Sequence, residues 1–148
     1  VQYNNKGFYG KILGTYVALP QSNEINTLFA NNTPSSMYGA YAEVGYNIFE
    51  NTKSEKLMHK QLIGFVRFEK LNANLTIPSS GITDGTLDQS HFLVGFNFLP
   101  INNVVLKADL RFTHTGPQNK ALFLNPPPVM MPYQQNNTFL NVGIGYSF

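Results

Sequence analysis

The sequence contains no cysteine. There is therefore no disulfide framework and no thiolate metal site. Tryptophan is also absent, so the aromatic residues, 14% of the chain, are all Phe and Tyr. Charge is scarce, at 12%, where an ordinary soluble domain carries about 25%. A net charge of +2 with no Lys/Arg-rich run speaks against a nucleic-acid partner. No stretch approaches the roughly 18 apolar residues of a transmembrane helix. A helical membrane protein is thereby excluded; a β-barrel is not, because alternation hides its hydrophobicity from averages. Val1 opens without the basic and apolar regions of a secretory signal. A barrel must first cross the inner membrane, so either the signal has been removed or the chain is the C-terminal part of a longer one. No Gly-x-Ser-x-Gly, phosphate-cradling loop or dinucleotide fingerprint occurs, and Ser90 and His91 are adjacent, so on a strand they point to opposite faces. No enzyme and no cofactor is expected. His59, His91 and His114 lack metal-ligand spacing and read as ordinary polar residues.

What the chain does have is alternation. Its last stretch, Thr138 to Phe148, reads T-F-L-N-V-G-I-G-Y-S-F. Leu140, Val142, Ile144, Tyr146 and Phe148 share one face. Asn141, Gly143, Gly145 and Ser147 share the other, with Phe139 the exception. A period of two with unlike faces marks a β-strand between unlike environments. The length suits a membrane-spanning strand, about 9–11 residues. A large apolar face opposite a small polar one fits lipid outside and a wet or crowded lumen inside. An ordinary strand of a soluble sandwich would also alternate. Closing on Gly-Tyr-x-Phe, the stretch resembles the C-terminal assembly signal of bacterial outer-membrane β-barrels. The resemblance implies that Leu140, Val142, Ile144, Tyr146 and Phe148 are read by a barrel-assembly machinery.

Five earlier segments read as strands. Gly7 to Leu19 sets Phe8, Ile12 and Tyr16 against Tyr9, Lys11, Leu13 and Thr15. Tyr38 to Phe49 sets Tyr38, Ala40, Ala42, Val44, Tyr46 and Ile48 against Gly39, Tyr41, Glu43, Gly45 and Asn47. Gln61 to Leu71 turns Leu62, Gly64, Val66 and Phe68 one way, and Ile63, Phe65, Arg67 and Glu69 the other. His91 to Leu99 and Val104 to His114 follow, the latter with Leu106, Ala108, Leu110 and Phe112 opposite Lys107, Asp109, Arg111 and Thr113. The connections are long at 20–37, 72–90 and 115–137, moderate at 50–60 and short at 100–103. The long loop at 72–90 carries two turn signals, Pro78-Ser79-Ser80-Gly81 and Asp84-Gly85. The loop at 115–137 contains Pro126-Pro127-Pro128 and Pro132, which no spanning strand tolerates. Its uncharged Leu124 to Tyr133 segment could fold into a lumen or pack on a neighbouring subunit. Transmembrane barrels sort their connections in this way, long loops outside and short turns in the periplasm.

The expected fold is thus all-β, an antiparallel transmembrane β-barrel, with residues 1–148 forming one C-terminal portion of a single barrel domain. Only six strands are visible, whereas closed transmembrane barrels begin at about eight. Completion by strands outside this sequence is preferred to several copies sharing one barrel or to a miscount.

Charges in the middle of these strands all lie opposite the apolar face: Glu43, Arg67, Glu69, Lys107, Asp109 and Arg111. On the lipid face a Lys or Arg near midplane costs about 2–4 kcal/mol. These side chains either line a water-filled passage and set its ion preference, or pair with one another and brace the wall. Arg67 with Glu69, and Asp109 with its two basic neighbours, are the candidate networks. Tyr and Phe at strand ends suit aromatic girdles at the two membrane interfaces.

Four segments, 37–46, 65–70, 103–109 and 137–146, together resemble in order and spacing the C-terminal third of large porins of the phosphate-selective type, in the branch found in Bacteroidetes-like bacteria. The resemblance implies a barrel of about sixteen or more strands in the outer membrane, a channel for passive diffusion of small polar solutes or ions, and contact with outer-membrane lipid. It allows a homotrimer. It does not bring phosphate selectivity with it, because no ladder of basic lumen residues can be matched. A structural or docking barrel of an envelope complex, with a plugged lumen, is the alternative expectation.

Overall fold

The protein is described from a computed structural model, over residues 1–79, 81–119 and 133–147. Seven strands form one antiparallel sheet in simple chain order: β1 (Gln2–Asn5), β2 (Phe8–Ala18), β3 (Ser36–Asn47), β4 (Gln61–Thr76), β5 (Asp88–Ile101), β6 (Val104–Thr115) and β7 (Asn136–Tyr146). The sheet is not closed: β1 and β7 are its two edges. No helix among the described residues is long and apolar enough to cross a membrane.

Alternation had located β2 to β7, and the ladder extends several of them. Strand β4 runs five residues past Leu71, and β5 begins at Asp88 rather than His91. These additions eat into the loop expected at 72–90. Six strands was one too few. Strand β1 is polar throughout, and the type I′-like turn that joins it to β2 is made by Lys6 (φ 45°) and Gly7 (φ 77°). Two residues with positive φ match the twist of a tight hairpin. Gly7 is required there twice over, since a Cβ would also lie 2.7 Å from Glu50 Cβ.

The long connection after β2 is not all loop. It holds a short helix, α1 (Ser22–Phe29), closed by Ala30 in the left-handed region. Asn26 anchors it, donating to the Thr33 carbonyl at 3.0 Å and accepting from the Thr33 amide at 2.7 Å. The second turn signal becomes a single 3₁₀ turn (Gly85–Leu87), with Asp84 accepting from the Thr86 amide at 3.1 Å. Across the first, the Gly81 amide reaches the Pro78 carbonyl at 2.9 Å, while Ser80 itself lies outside the described residues. The segment Leu124–Met131, including Pro126, Pro127 and Pro128, and also Pro132 lie outside them too.

Simple chain order puts alternate connections at opposite ends of the sheet. The three long ones share an end and are stitched together there. Asn32 bonds both backbone groups of Ile82 at 2.7 Å, and Asn119 donates to the Thr83 carbonyl at 2.8 Å. At the other end, Asn102-Asn103 closes a two-residue hairpin between Ile101 and Val104.

Cross-strand partners share a face, so the register sorts every side chain. One apolar face runs unbroken over six strands. Its rows include Ile12–Ala42–Phe68–Phe92–Phe112 and Gly10–Val44–Val66–Val94–Leu110–Leu140. These large apolar side chains are exposed, whereas Glu43, His91 and Leu93 on the opposite face are buried. Burial therefore runs opposite to hydrophobicity.

Candidate functional site

All six charged residues singled out by the alternation share that polar face. Register places Glu43 beside Arg67, and Arg67 beside Leu93, which sits next to Arg111. Glu69 faces Tyr41 and His91, while Lys107 and Asp109 face Asn97 and Gly95. Strand pairing alone brings together side chains from residues 11 to 141.

On β2–β4 the charges form one connected cluster. The Arg67 guanidinium donates from Nε to Glu43 Oε2 at 2.6 Å and from Nη1 to Glu69 Oε1 at 2.9 Å. Lys11 Nζ approaches Glu43 Oε1 at 3.6 Å. Glu43 is only 5% exposed, and a carboxylate so withdrawn from water must be paired to remain charged. Two cations meet that need. Each also lies over a ring of the polar face: Lys11 Nζ is 4.9 Å from the centroid of Tyr9 on its own strand, and the Arg67 guanidinium 4.9 Å from that of Tyr41 on the neighbouring β3. Both distances suit cation–π attraction. The cluster carries two positive and two negative charges and is self-neutralised.

The β6 charges behave differently. Asp109 does not join Lys107 or Arg111 among the described residues; its Oδ1 accepts from Asn141 Nδ2 at 2.8 Å. Lys107 is exposed. Arg111 keeps its Nε buried with no hydrogen-bond partner among the described residues. It lines a depression of about 530 Å³ with His91, Asp109, Thr113, Phe139 and Asn141. Of the two expected networks, the Arg67–Glu69 pair forms and the Asp109 one does not.

Glycine makes room on this face. Tyr9 lies across Gly45, where a Cβ would come within 2.5 Å of the ring. Opposite Asp109, a Cβ on Gly95 would meet the Ala108 carbonyl oxygen at 2.5 Å.

Set beside known proteins, the chain matches no family model, no curated protein and no solved structure.

Two contributors escaped the sequence analysis. Lys11 had been placed on the polar face, but its pairing with Glu43 shows only in the register. Leu93, 4% exposed, is the buried apolar side chain between Arg67 and Arg111. The histidines separate. His91, the first residue of the segment read from the sequence, lies three residues inside the start of β5, with Nδ1 2.9 Å from Thr113 Oγ1. His114 lies on the other face, Nδ1 2.8 Å from Asn136 Oδ1. Ser90, paired with Lys70 and His114, turns away from His91. The terminal-strand residues Leu140, Val142, Ile144 and Tyr146 all lie on the apolar face and are exposed. Phe148, the last of that set, is outside the described residues.

Proposed function

We propose that this sheet is part of the wall of an outer-membrane β-barrel, a porin-like channel through which small polar solutes or ions diffuse passively. The observation that carries this is the inversion of the sheet. Its charged face is crowded and partly buried, and its apolar face is open. Phe and Tyr side chains present about 150–250 Å² each, so a six-strand face left half exposed amounts to something on the order of 1,000 Å² of apolar surface. Water-facing surfaces seldom carry patches beyond a few hundred Å². Lipid outside and a polar lumen inside satisfy both faces at once. The grouping of long connections at one end, the C-terminal strand pattern and the resemblance to phosphate-selective-type porins point the same way.

In this reading the two sets of charges have different tasks. The Lys11–Glu43–Arg67–Glu69 cluster braces the wall, while Lys107, Asp109 and Arg111 meet the solution in the lumen. A second reading is favoured by the cluster itself. Self-paired charges suit a filled interior, and hence a structural or docking barrel within an envelope complex.

Reconstitution of the full-length protein into planar bilayers tests the proposal. Discrete conductance steps are expected. Correctly inserted protein that shows none refutes the channel, and a stable co-purifying partner would then support the docking role.

A further inference from the structure

The two halves of the polar face hold their charges differently, and the register gives the reason. Between β3 and β4, acid meets base across the strand pair, with Glu43 beside Arg67. On β6 it does not. Asp109 lies between Gly95 and Asn141, and Arg111 between Leu93 and Phe139. All four flanking residues are uncharged. Glu69, the acid one row away on β4, is already held by Arg67. Asp109 and Arg111 stand two residues apart on one strand, about 6.8 Å, and pair neither with each other nor with any other charge among the described residues.

The surface beside them is open. Gly95 places no side chain next to Asp109. Here the face dips into the depression of about 530 Å³ that Asp109 and Arg111 line with His91, Thr113, Phe139 and Asn141. Small-molecule sites have this size, about 300–1,000 Å³. Lys107, two residues beyond Asp109, does not line it. The depression thus presents one guanidinium and one carboxylate, each short of a partner. The Arg111 Nε is buried with no hydrogen-bond partner among the described residues, which is costly for a charged donor. Asp109 is steadied from one side, where its Oδ1 accepts from Asn141 Nδ2 at 2.8 Å. Phe139 supplies the apolar wall. It is 50% exposed and is the large apolar residue that breaks the polar face of β7, an exception that alternation leaves unexplained.

We propose that this depression is a binding subsite for a small zwitterion, an α-amino acid with an apolar side chain. Its carboxylate binds the Arg111 guanidinium, its ammonium binds the Asp109 carboxylate, and its side chain packs on Phe139. The proposal rests on the reading of this face as a lumen wall and names the class of solute held there. A lone anion would satisfy Arg111 but sit within about 7 Å of Asp109. A lone cation would meet the reverse conflict. A dipolar molecule pairs both charges at once, and both contacts are charge-assisted hydrogen bonds, the strong kind.

Three probes of one shape test this by titration calorimetry on the full-length protein in detergent at neutral pH. They are L-phenylalanine, phenylpropionate, which lacks the ammonium, and phenethylamine, which lacks the carboxylate. L-Phenylalanine should bind saturably, about tenfold or more tighter than either analogue. Asp109→Asn should weaken L-phenylalanine by about tenfold and strengthen phenylpropionate; a variant that merely loosened the site would weaken both. Arg111→Gln should weaken both, and if it does not fold, the opposite responses to Asp109→Asn decide alone. Phenylpropionate binding as tightly as L-phenylalanine overturns the zwitterion in favour of a plain anion. The absence of saturable L-phenylalanine binding overturns the site. Planar-bilayer conductance of the same preparation reads the channel separately. Conductance steps without binding overturn the subsite and leave the channel standing, whereas binding without steps upholds the subsite and refutes the channel.

Discussion

Replacement of Val142 by arginine separates a lipid-facing sheet from a water-facing one. Val142 sits on the apolar face of β7, between Leu140 and Ile144, and is 77% exposed. In water so exposed a side chain has little packing to lose, and Val142→Arg should change stability by no more than about 0.5 kcal/mol. Near the midplane of a bilayer the same change costs about 2–4 kcal/mol. That corresponds to a loss of roughly 30- to 900-fold in the folding equilibrium. The neighbouring position supplies the control. Gly143 points to the polar face opposite Lys107, and a Cβ there meets nothing within 4 Å. Gly143→Glu therefore adds a charge one residue away, facing an opposite charge, and should be neutral or slightly stabilising. Urea titration of folding into phosphatidylcholine vesicles measures both in the full-length protein. A cost for Val142→Arg below about 0.5 kcal/mol, matching Gly143→Glu, would refute the assignment of the apolar face to lipid.

Three further outcomes are expected. Glu43→Gln removes the anion that holds Lys11 and Arg67, with an expected loss of about 1–3 kcal/mol. Combined with Arg67→Met the losses should be clearly less than additive in a denaturant cycle, whereas full additivity would mean the pair is not coupled. Gly95→Val drives a side chain against the Ala108 carbonyl and should cost about 1–3 kcal/mol, while Gly143→Ala should be near neutral by the same titration. In a bilayer salt gradient, Lys107→Glu should shift the reversal potential toward cation preference, because Lys107 is exposed on the polar face. Glu43→Gln should leave it nearly unchanged if the paired cluster lies off the ion path.

Strands β3 to β7 were legible because each reports its own environment every second residue. Tyr38–Tyr46 and Val104–Phe112 show the alternation without reference to any partner. The segregation of six charges from the apolar face followed from the same periodicity. Strand β1 was not legible, since Q-Y-N-N has no apolar period and is a strand only through pairing with Phe8–Lys11. Helix α1 did leave a trace, Ile25, Leu28 and Phe29 at helical spacing, but it lay among the Asn, Ser and Thr residues of a loop composition. His91 reads as peripheral in the sequence because the apolar alternation of β5 begins only at Phe92, whereas its pairing begins at Asp88.

The sequence by itself determined the all-β class, the strand centres and which side chains share a face, since a period of two is local to each strand. Only the tertiary structure decided which residues meet. Register is a relation between strands, so nothing local to 11, 43, 67 or 69 announces that they form one ion-paired cluster. Nor does any single strand reveal that the apolar residues of six strands line up into one continuous face, because that alignment exists only between strands whose relative positions the backbone hydrogen bonds have set.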